Sequence, residues 1–179
     1  MLHKLILFEG VDGSGKTLLA KMLAKKMGGL YYHSPPVVLE PLKQYANNAS
    51  FKVRYQYFML GNYIVSEELK ELLLTQDVVL DKYFYSTIAF HSILLKSNLS
   101  LPKDLLMPDH TFYLTASMEE IKRRLNLKEK ITKYEELSLL QEVDKKYKEI
   151  FKENPNITTI ETTNKTPSEI LKIIEQKLI

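Results

Sequence analysis

The sequence has no cysteine and only four histidines, His3, His33, His91 and His110. The first absence excludes disulfides, thiolate metal sites and thiol nucleophiles, and it suits a reducing compartment. The histidines offer no pair at zinc-ligand spacing. No apolar run approaches the length of a membrane span. The opening MLHKLILFEG meets Glu9 too soon to serve as a signal peptide, so a cytoplasmic location with no membrane partner is expected. Sequons beginning at Asn48, Asn98 and Asn156 then read as chance. Strong charge is lacking too. The net charge is +3, with Lys and Glu alternating along helical segments, which gives no argument for nucleic acid. Glycine is scarce, six in 179 residues, yet three of the six fall within FEGVDGSGKT, residues 8–17.

What is present is an ordinary globular composition, 45% hydrophobic and 26% charged. The length fits one domain spanning 1–179, with no repeat, linker or low-complexity tract. Residues 5–8 form a short apolar run ended by turn residues, which reads as a buried strand. Further strands are expected at 30–33, 78–80, 111–115 and 157–160. Helices are expected at about 15–27, 37–46, 51–75, 83–95, from 117, at 134–152 and at 166–178. Ser117 with Glu120, and Thr166-Pro167-Ser168-Glu169, carry helix-start chemistry. The helix from Phe51 is apolar on several sides, which predicts a central core helix or part of a dimer interface. Strands alternating with helices make this an α/β chain, with a parallel sheet covered on both faces and ligands at the carboxyl ends of its strands.

Gly10-Val11-Asp12-Gly13-Ser14-Gly15-Lys16-Thr17 matches G-x-x-x-x-G-K-[ST], with a strand before it and a helix after it. Gly10, Gly13 and Gly15 let backbone N–H groups of the loop, Ser14 among them, curl around phosphates. The helix N-terminus points its positive end at the same place. Lys16 reaches the outer phosphates, and the Thr17 hydroxyl is placed to bind a Mg²⁺ ion that bridges them. ATP is therefore the expected ligand. Asp81 ends the third strand and suits the magnesium shell; the plainer reading is a cap for the next helix. A guanine-reading N-K-x-D is missing, since Asn164-Lys165-Thr166-Pro167 lacks the acid. Arg54, Phe58 and Asn62 stack on one helical face: Arg for a phosphate, Phe for a planar base, Asn for its edge. The alternative is a core Phe between two surface residues. Arg123, Arg124 and lysines 128, 130 and 133 could close on the transferring phosphates, or form a solvated face.

These stretches resemble the thymidylate kinase family. FEGVDGSGKT is similar to its F-E-G-x-D-G-x-G-K-T opening, VVLDKYFYSTIAF to its V-x-D-R-Y-x-x-S-x-x-A-[YF] segment, and YFMLGNY to its L-F-x-x-x-R-[WY] helix. Glu135 with Lys133 resembles the D-R-x-E of its lid. The resemblance implies a three-layer P-loop kinase fold with a five-stranded parallel sheet flanked by helices, a short lid around 124–134, and a homodimer. It implies transfer of phosphate from ATP to dTMP with magnesium. By position, Asp12 would meet the sugar 3′-hydroxyl, Phe58 stack on the base, and Asp81 serve metal and acceptor. Ser86 and Thr87 would lie near the base edge, and Phe90 would fill the place of a ribose 2′-hydroxyl.

The sequence also departs from the family. Lys82 stands where the motif has Arg, which keeps the charge and loses the fork. Asn62 stands for the Arg that reads the thymine edge. His33-Ser34-Pro35-Pro36 lacks the expected phosphate-binding Arg, and Arg54 is the substitute expected there. Lys16 with magnesium would hold the donor, Lys82 and Arg54 the acceptor phosphate, and Arg123 or Lys133 would act from the lid. SPP and LGNYIV also resemble the mitochondrial UMP–CMP kinase branch, so a CMP/UMP or broad pyrimidine monophosphate kinase is one alternative. A deoxynucleoside kinase using Glu9 or Asp12 as base is a second, and a non-catalytic nucleotide-binding module a third.

Overall fold

Alternate residues of each central strand enter different cores, which is why the strands are apolar throughout. The computed structural model describes residues 3–127, 132–152 and 154–178. Its strands are β1 (Leu5–Glu9), β2 (Leu30–His33), β3 (Val78–Asp81), β4 (His110–Thr115) and β5 (Ile157–Glu161). They form one sheet in the order β2-β3-β1-β4-β5, every pair parallel. The helices are α1 (Lys16–Met27), α2 (Glu40–Asn48), α3 (Phe51–Leu72), α4 (Phe84–Leu94), α5 (Met118–Leu125), α6 (Leu137–Phe151) and α7 (Pro167–Leu178).

Ile6, Phe8, Val79, Phe112 and Leu114 pack against Leu19 and Leu23 of α1 and Ile170 and Ile174 of α7. Leu5, Leu7, Val78, Leu80 and Tyr113 face the other way, onto Val65 and Leu69 of α3, Phe84 and Ala89 of α4, and Val143 and Tyr147 of α6. The two buried layers give the three-layer architecture expected from the strand–helix alternation.

Two boundaries and the place of one helix differ from the sequence reading. Residues 37–46 divide into a 3₁₀ turn, Val37–Leu39, and α2, because Pro41 fits only the first turn of a helix. The stretch from 134 divides likewise into a 3₁₀ turn, Lys133–Glu135, and α6. There Glu135 closes a capping box on Thr132. Lys128 and Lys130 of the expected lid lie outside the described residues. The third difference concerns α3, which is not the central core helix. Its Val65 and Leu69 are buried, while Val53, Leu60 and Tyr63 are 42%, 49% and 41% exposed. The enclosed helix is α4, buried from Phe84 to Ser92 apart from Ser86, between α3 and α6.

Register positions the functional ends. Phe8 of β1 pairs with Asp81 of β3, so the loop after β1 emerges beside that carboxylate. His33 of β2 stands opposite Asp81 on its other side. Gly61 lets α3 approach the turn after β2: a Cβ there would sit 3.1 Å from Pro35 Cβ.

Candidate active site

The chain leaves β1 by a turn that needs glycine. Gly10 has φ 138°, and a Cβ on it would lie 2.3 Å from the Leu114 carbonyl oxygen. The loop then wraps onto α1. Lys16 is buried; its ammonium donates to the Val11 carbonyl at 2.7 Å and lies 3.7 Å from Asp12 Oδ1. Burial and the neighbouring Lys82 charge pull its pKa down to about 8.

Thr17 donates its hydroxyl to Asp81 Oδ2 at 2.6 Å. Tyr31 donates to the same oxygen at 3.0 Å, and His33 Nδ1 lies 3.5 Å from it. Burial works to raise the Asp81 pKa. The His33 and Thr17 contacts and the Lys16 and Lys82 charges outweigh it and hold the carboxyl at about 2. Its second oxygen, Oδ1, is buried with no hydrogen-bond partner among the described residues. A hydroxyl and an ionised carboxylate are hard oxygen donors of the kind magnesium takes. Among the described residues no group of three or more His, Cys, Asp or Glu could cage an ion. The pair therefore suits a cation whose remaining ligands are phosphate oxygens and water.

Arg124 clasps the loop from α5. Its guanidinium donates to the Gly13 and Ser14 carbonyls at 3.2 and 3.3 Å, and to the Thr162 hydroxyl and carbonyl at 2.9 and 2.8 Å. Arg123, named from the sequence, is paired within its own helix. It forks onto Glu120 at 2.7 Å with 64% of its side chain exposed. It lies, with Ser14, Gly15, Leu18 and Lys165, along a groove beside the loop.

A second cleft opens on the other side of Asp12. Lys82 adopts φ 67°, rare for a side-chain-bearing residue, and its ammonium meets Asp12 Oδ1 at 2.7 Å. Asp12, Lys82, Arg54, Phe58, Ser86, Thr87 and Phe90 all line this cleft, so seven of the eight proposed acceptor residues come together. Asn62 does not line it. Its amide stands behind the wall, donating to the Thr87 hydroxyl at 3.0 Å and accepting from Ser34 at 3.3 Å. It is 1% exposed, so it braces two lining residues instead of meeting a ligand. Lys133 lies 5.1 Å from the centre of the Tyr134 ring, and Tyr134 itself faces the cleft.

Sequence reasoning missed several lining residues: Ser34, Tyr83, His91 and Tyr134. His91 had a signal, since it falls four residues after Thr87, on the same helical face. Glu9 is buried in a cage, accepting from Tyr83 N at 2.9 Å, Ser86 N at 3.2 Å, the Ser86 hydroxyl at 2.6 Å and the Tyr147 hydroxyl at 2.8 Å. Burial raises its pKa, while these bonds work to lower it. Its role is to tie β1 to the start of α4 and to α6.

The family described as thymidylate kinase matches residues 8–173. A protein of Methanococcus aeolicus named "Probable thymidylate kinase" is 30% identical over 99% of this chain and 97% of its own length. A Methanocaldococcus jannaschii protein of the same name is 32% identical over 92% and 90%. Among solved structures, a thymidylate kinase from Candida albicans superposes with TM-score 0.81 at 21% identity, covering 99% of this chain and 91% of that one. A deoxyadenosine kinase from M. mycoides superposes with TM-score 0.74 at 17% identity, covering 97% and 98%. At these identities the structural likeness speaks for the shared fold alone.

Proposed function

The chain belongs to the thymidylate kinase family, and from that premise we propose how its residues divide the transfer of the ATP γ-phosphoryl group to dTMP. The protein is a nucleoside monophosphate kinase. Phosphoryl transfer asks the protein for in-line positioning and charge neutralisation, with little covalent chemistry. The loop from Gly10 to Thr17 takes the donor phosphates on the backbone N–H groups of Gly13, Ser14 and Gly15, with the Lys16 ammonium at the outer phosphates. The Thr17 hydroxyl and Asp81 would hold magnesium, which would supply charge neutralisation at the phosphates. Lys82 takes the acceptor phosphate. Asp12 meets the sugar 3′-hydroxyl, Phe58 stacks on the base, Ser86 and Thr87 line its edge, and Phe90 leaves no room for a 2′-hydroxyl. Arg123 or Lys133 closes on the donor from the lid side, Arg123 by leaving Glu120. The acceptor oxygen is already ionised, so no general base is required.

The observation that carries this division is Asp12 between two ammoniums. Lys16 stands 3.7 Å away on the donor side and Lys82 2.7 Å away on the acceptor side. One carboxylate thus couples the two sites. A deoxynucleoside kinase would need a free carboxylate to deprotonate a sugar hydroxyl. Glu9 is spent in its cage and Asp12 on its ion pair, which supports the monophosphate reading over that one. The exposed stripe Val53, Leu60 and Tyr63 on α3 supports a homodimer through that helix. The test of the assignment is direct detection of dTDP and ADP by anion-exchange chromatography from ATP, dTMP and magnesium. Stoichiometric dTDP is expected; ATP hydrolysis without dTDP would contradict it.

A further inference from the structure

Arg54 sits one turn before Phe58 on α3 and is 8% exposed. Its guanidinium lies between two rings, Cζ being 4.6 Å from the Phe58 centroid and 3.8 Å from the Tyr134 centroid. Two of its donors are spent at its edges. Nε donates to Asn47 Oδ1 at 3.2 Å, and Nη1 meets His91 Nε2 at 2.9 Å. Because arginine can only donate, His91 Nε2 must accept, and Nδ1–H donates to the Thr87 carbonyl at 2.7 Å. The imidazole is therefore neutral and of one tautomer. Asn47 is held in turn, its carbonyl accepting the Tyr134 hydroxyl at 2.9 Å. The remaining nitrogen, Nη2, makes no hydrogen bond among the described residues, and the Asp12 carboxylate attracts the guanidinium through space.

The sequence alone suggests a phosphate for this charge. The surroundings argue otherwise. With Nε bound to Asn47, the side-on edge formed by Nε and Nη2 is closed to an oxyanion, and what remains for a ligand is Nη2 with the second Nη1 hydrogen. Ring faces on both sides are poor surroundings for a doubly charged group and good ones for a flat one. A carbonyl meeting Nη2 in the guanidinium plane extends the layer that Phe58 and Tyr134 already enclose. Asn62, the residue whose spacing put it at the base edge, is meanwhile committed to Ser34 and Thr87.

We propose that Arg54 Nη2 donates to a carbonyl oxygen of the acceptor's pyrimidine base, with His91 and Asn47 as positioning residues that fix the guanidinium plane. The proposal rests on the dTMP reading above and deepens it: the base-reading arginine missing at position 62 is supplied two turns earlier.

The test separates base from phosphate by using thymidine, which has the base and lacks the phosphate. The KM for dTMP and the inhibition constant of thymidine against dTMP are measured for wild type and for Arg54→Met, Arg54→Lys, His91→Phe and His91→Gln, with thermal melts to check folding. In Arg54→Met both constants rise by the same factor, roughly 10- to 100-fold, the worth of one charge-assisted hydrogen bond, while kcat changes less. Arg54→Lys, which keeps charge and most of the bulk, gives an intermediate rise in both and decides the matter should the Met variant fail to fold. His91→Phe raises both constants by a smaller shared factor, and His91→Gln, which can still accept from Arg54, restores them. A rise in the dTMP constant with thymidine inhibition unchanged overturns the proposal in favour of the phosphate, and no change in either makes Arg54 a bystander. Wild type that turns over no dTMP contradicts the acceptor assignment itself, and that result is read before any variant.

Discussion

Lys16 and His91 are both buried bases whose charge the fold works against, and each gives a prediction at the scale of one side chain. Replacing Lys16 with Ala removes the only ammonium the loop itself carries. Transfer falls by ~10²–10³-fold or more, since a preorganised charge at the transferring group is lost. The melt stays within a few degrees of wild type, because a buried charge is removed as well as a hydrogen bond. Stopped-time assays with a thermal melt check both. His91 answers to pH. Burial and the Arg54 charge hold its pKa at about 4, below the ordinary 6.5. The unfolded chain therefore binds the proton first, and stability is lost as pH falls from 6.5 towards 4, by up to about 3 kcal/mol from this group. Above pH 6.5 the group contributes no slope. Urea unfolding from pH 4 to 7 should show that loss in wild type and a shallower one in His91→Phe. Legibility differs sharply among single residues. The placement of Gly10, Lys16 and Thr17 in one loop could be read because it depends on local spacing. Asn62 and Arg123 could not, because their partners, Thr87 and Ser34 in one case and the rotamer choice onto Glu120 in the other, are settled by packing.

At the scale of elements, α5 and α3 carry the consequences. Arg124 ties α5 to two loop carbonyls and to Thr162, which follows β5. Arg124→Ala leaves those carbonyls without a charged donor. It should weaken ATP binding roughly tenfold and lower stability by about 1.5–3 kcal/mol. Isothermal titration with a non-hydrolysable ATP analogue and a denaturant melt check the two effects. On α3 the exposed Leu60 and Tyr63 form the core of the proposed dimer face. Leu60→Glu should convert a dimer to a monomer in sedimentation velocity while leaving the fold unchanged; a wild-type monomer would remove the dimer altogether. The sequence made α3 visible as a helix and left its role open between core and interface. Hydrophobic content on several sides could not distinguish them, since burial depends on which helix its neighbours enclose. That helix is α4, whose short run FYSTIAFHSIL is buried on nearly every side.

Across the whole molecule, the parallel order β2-β3-β1-β4-β5 puts the ends of β1 and β3 side by side at the centre of the sheet. The glycine loop follows one and the Asp81–Lys82 pair ends the other, so the loop, Asp12 and that pair stand together. This much was legible, because apolar strands alternating with helices leave few topologies and ligand loops belong at their carboxyl ends. The full lining of the cleft beside Asp12 was not, since Ser34 and Tyr134 come from segments remote in sequence and no local period joins them to Thr87 and His91. The central claim is that this shared carboxylate serves a monophosphate acceptor on a deoxyribose. Its most direct test is a coupled ADP-release assay with ATP and magnesium, comparing kcat/KM for dTMP, dUMP, dCMP, UMP, CMP and thymidine. dTMP is expected first, with the ribonucleotides far below and no phosphorylation of thymidine. Turnover of thymidine with none of any monophosphate would contradict the claim.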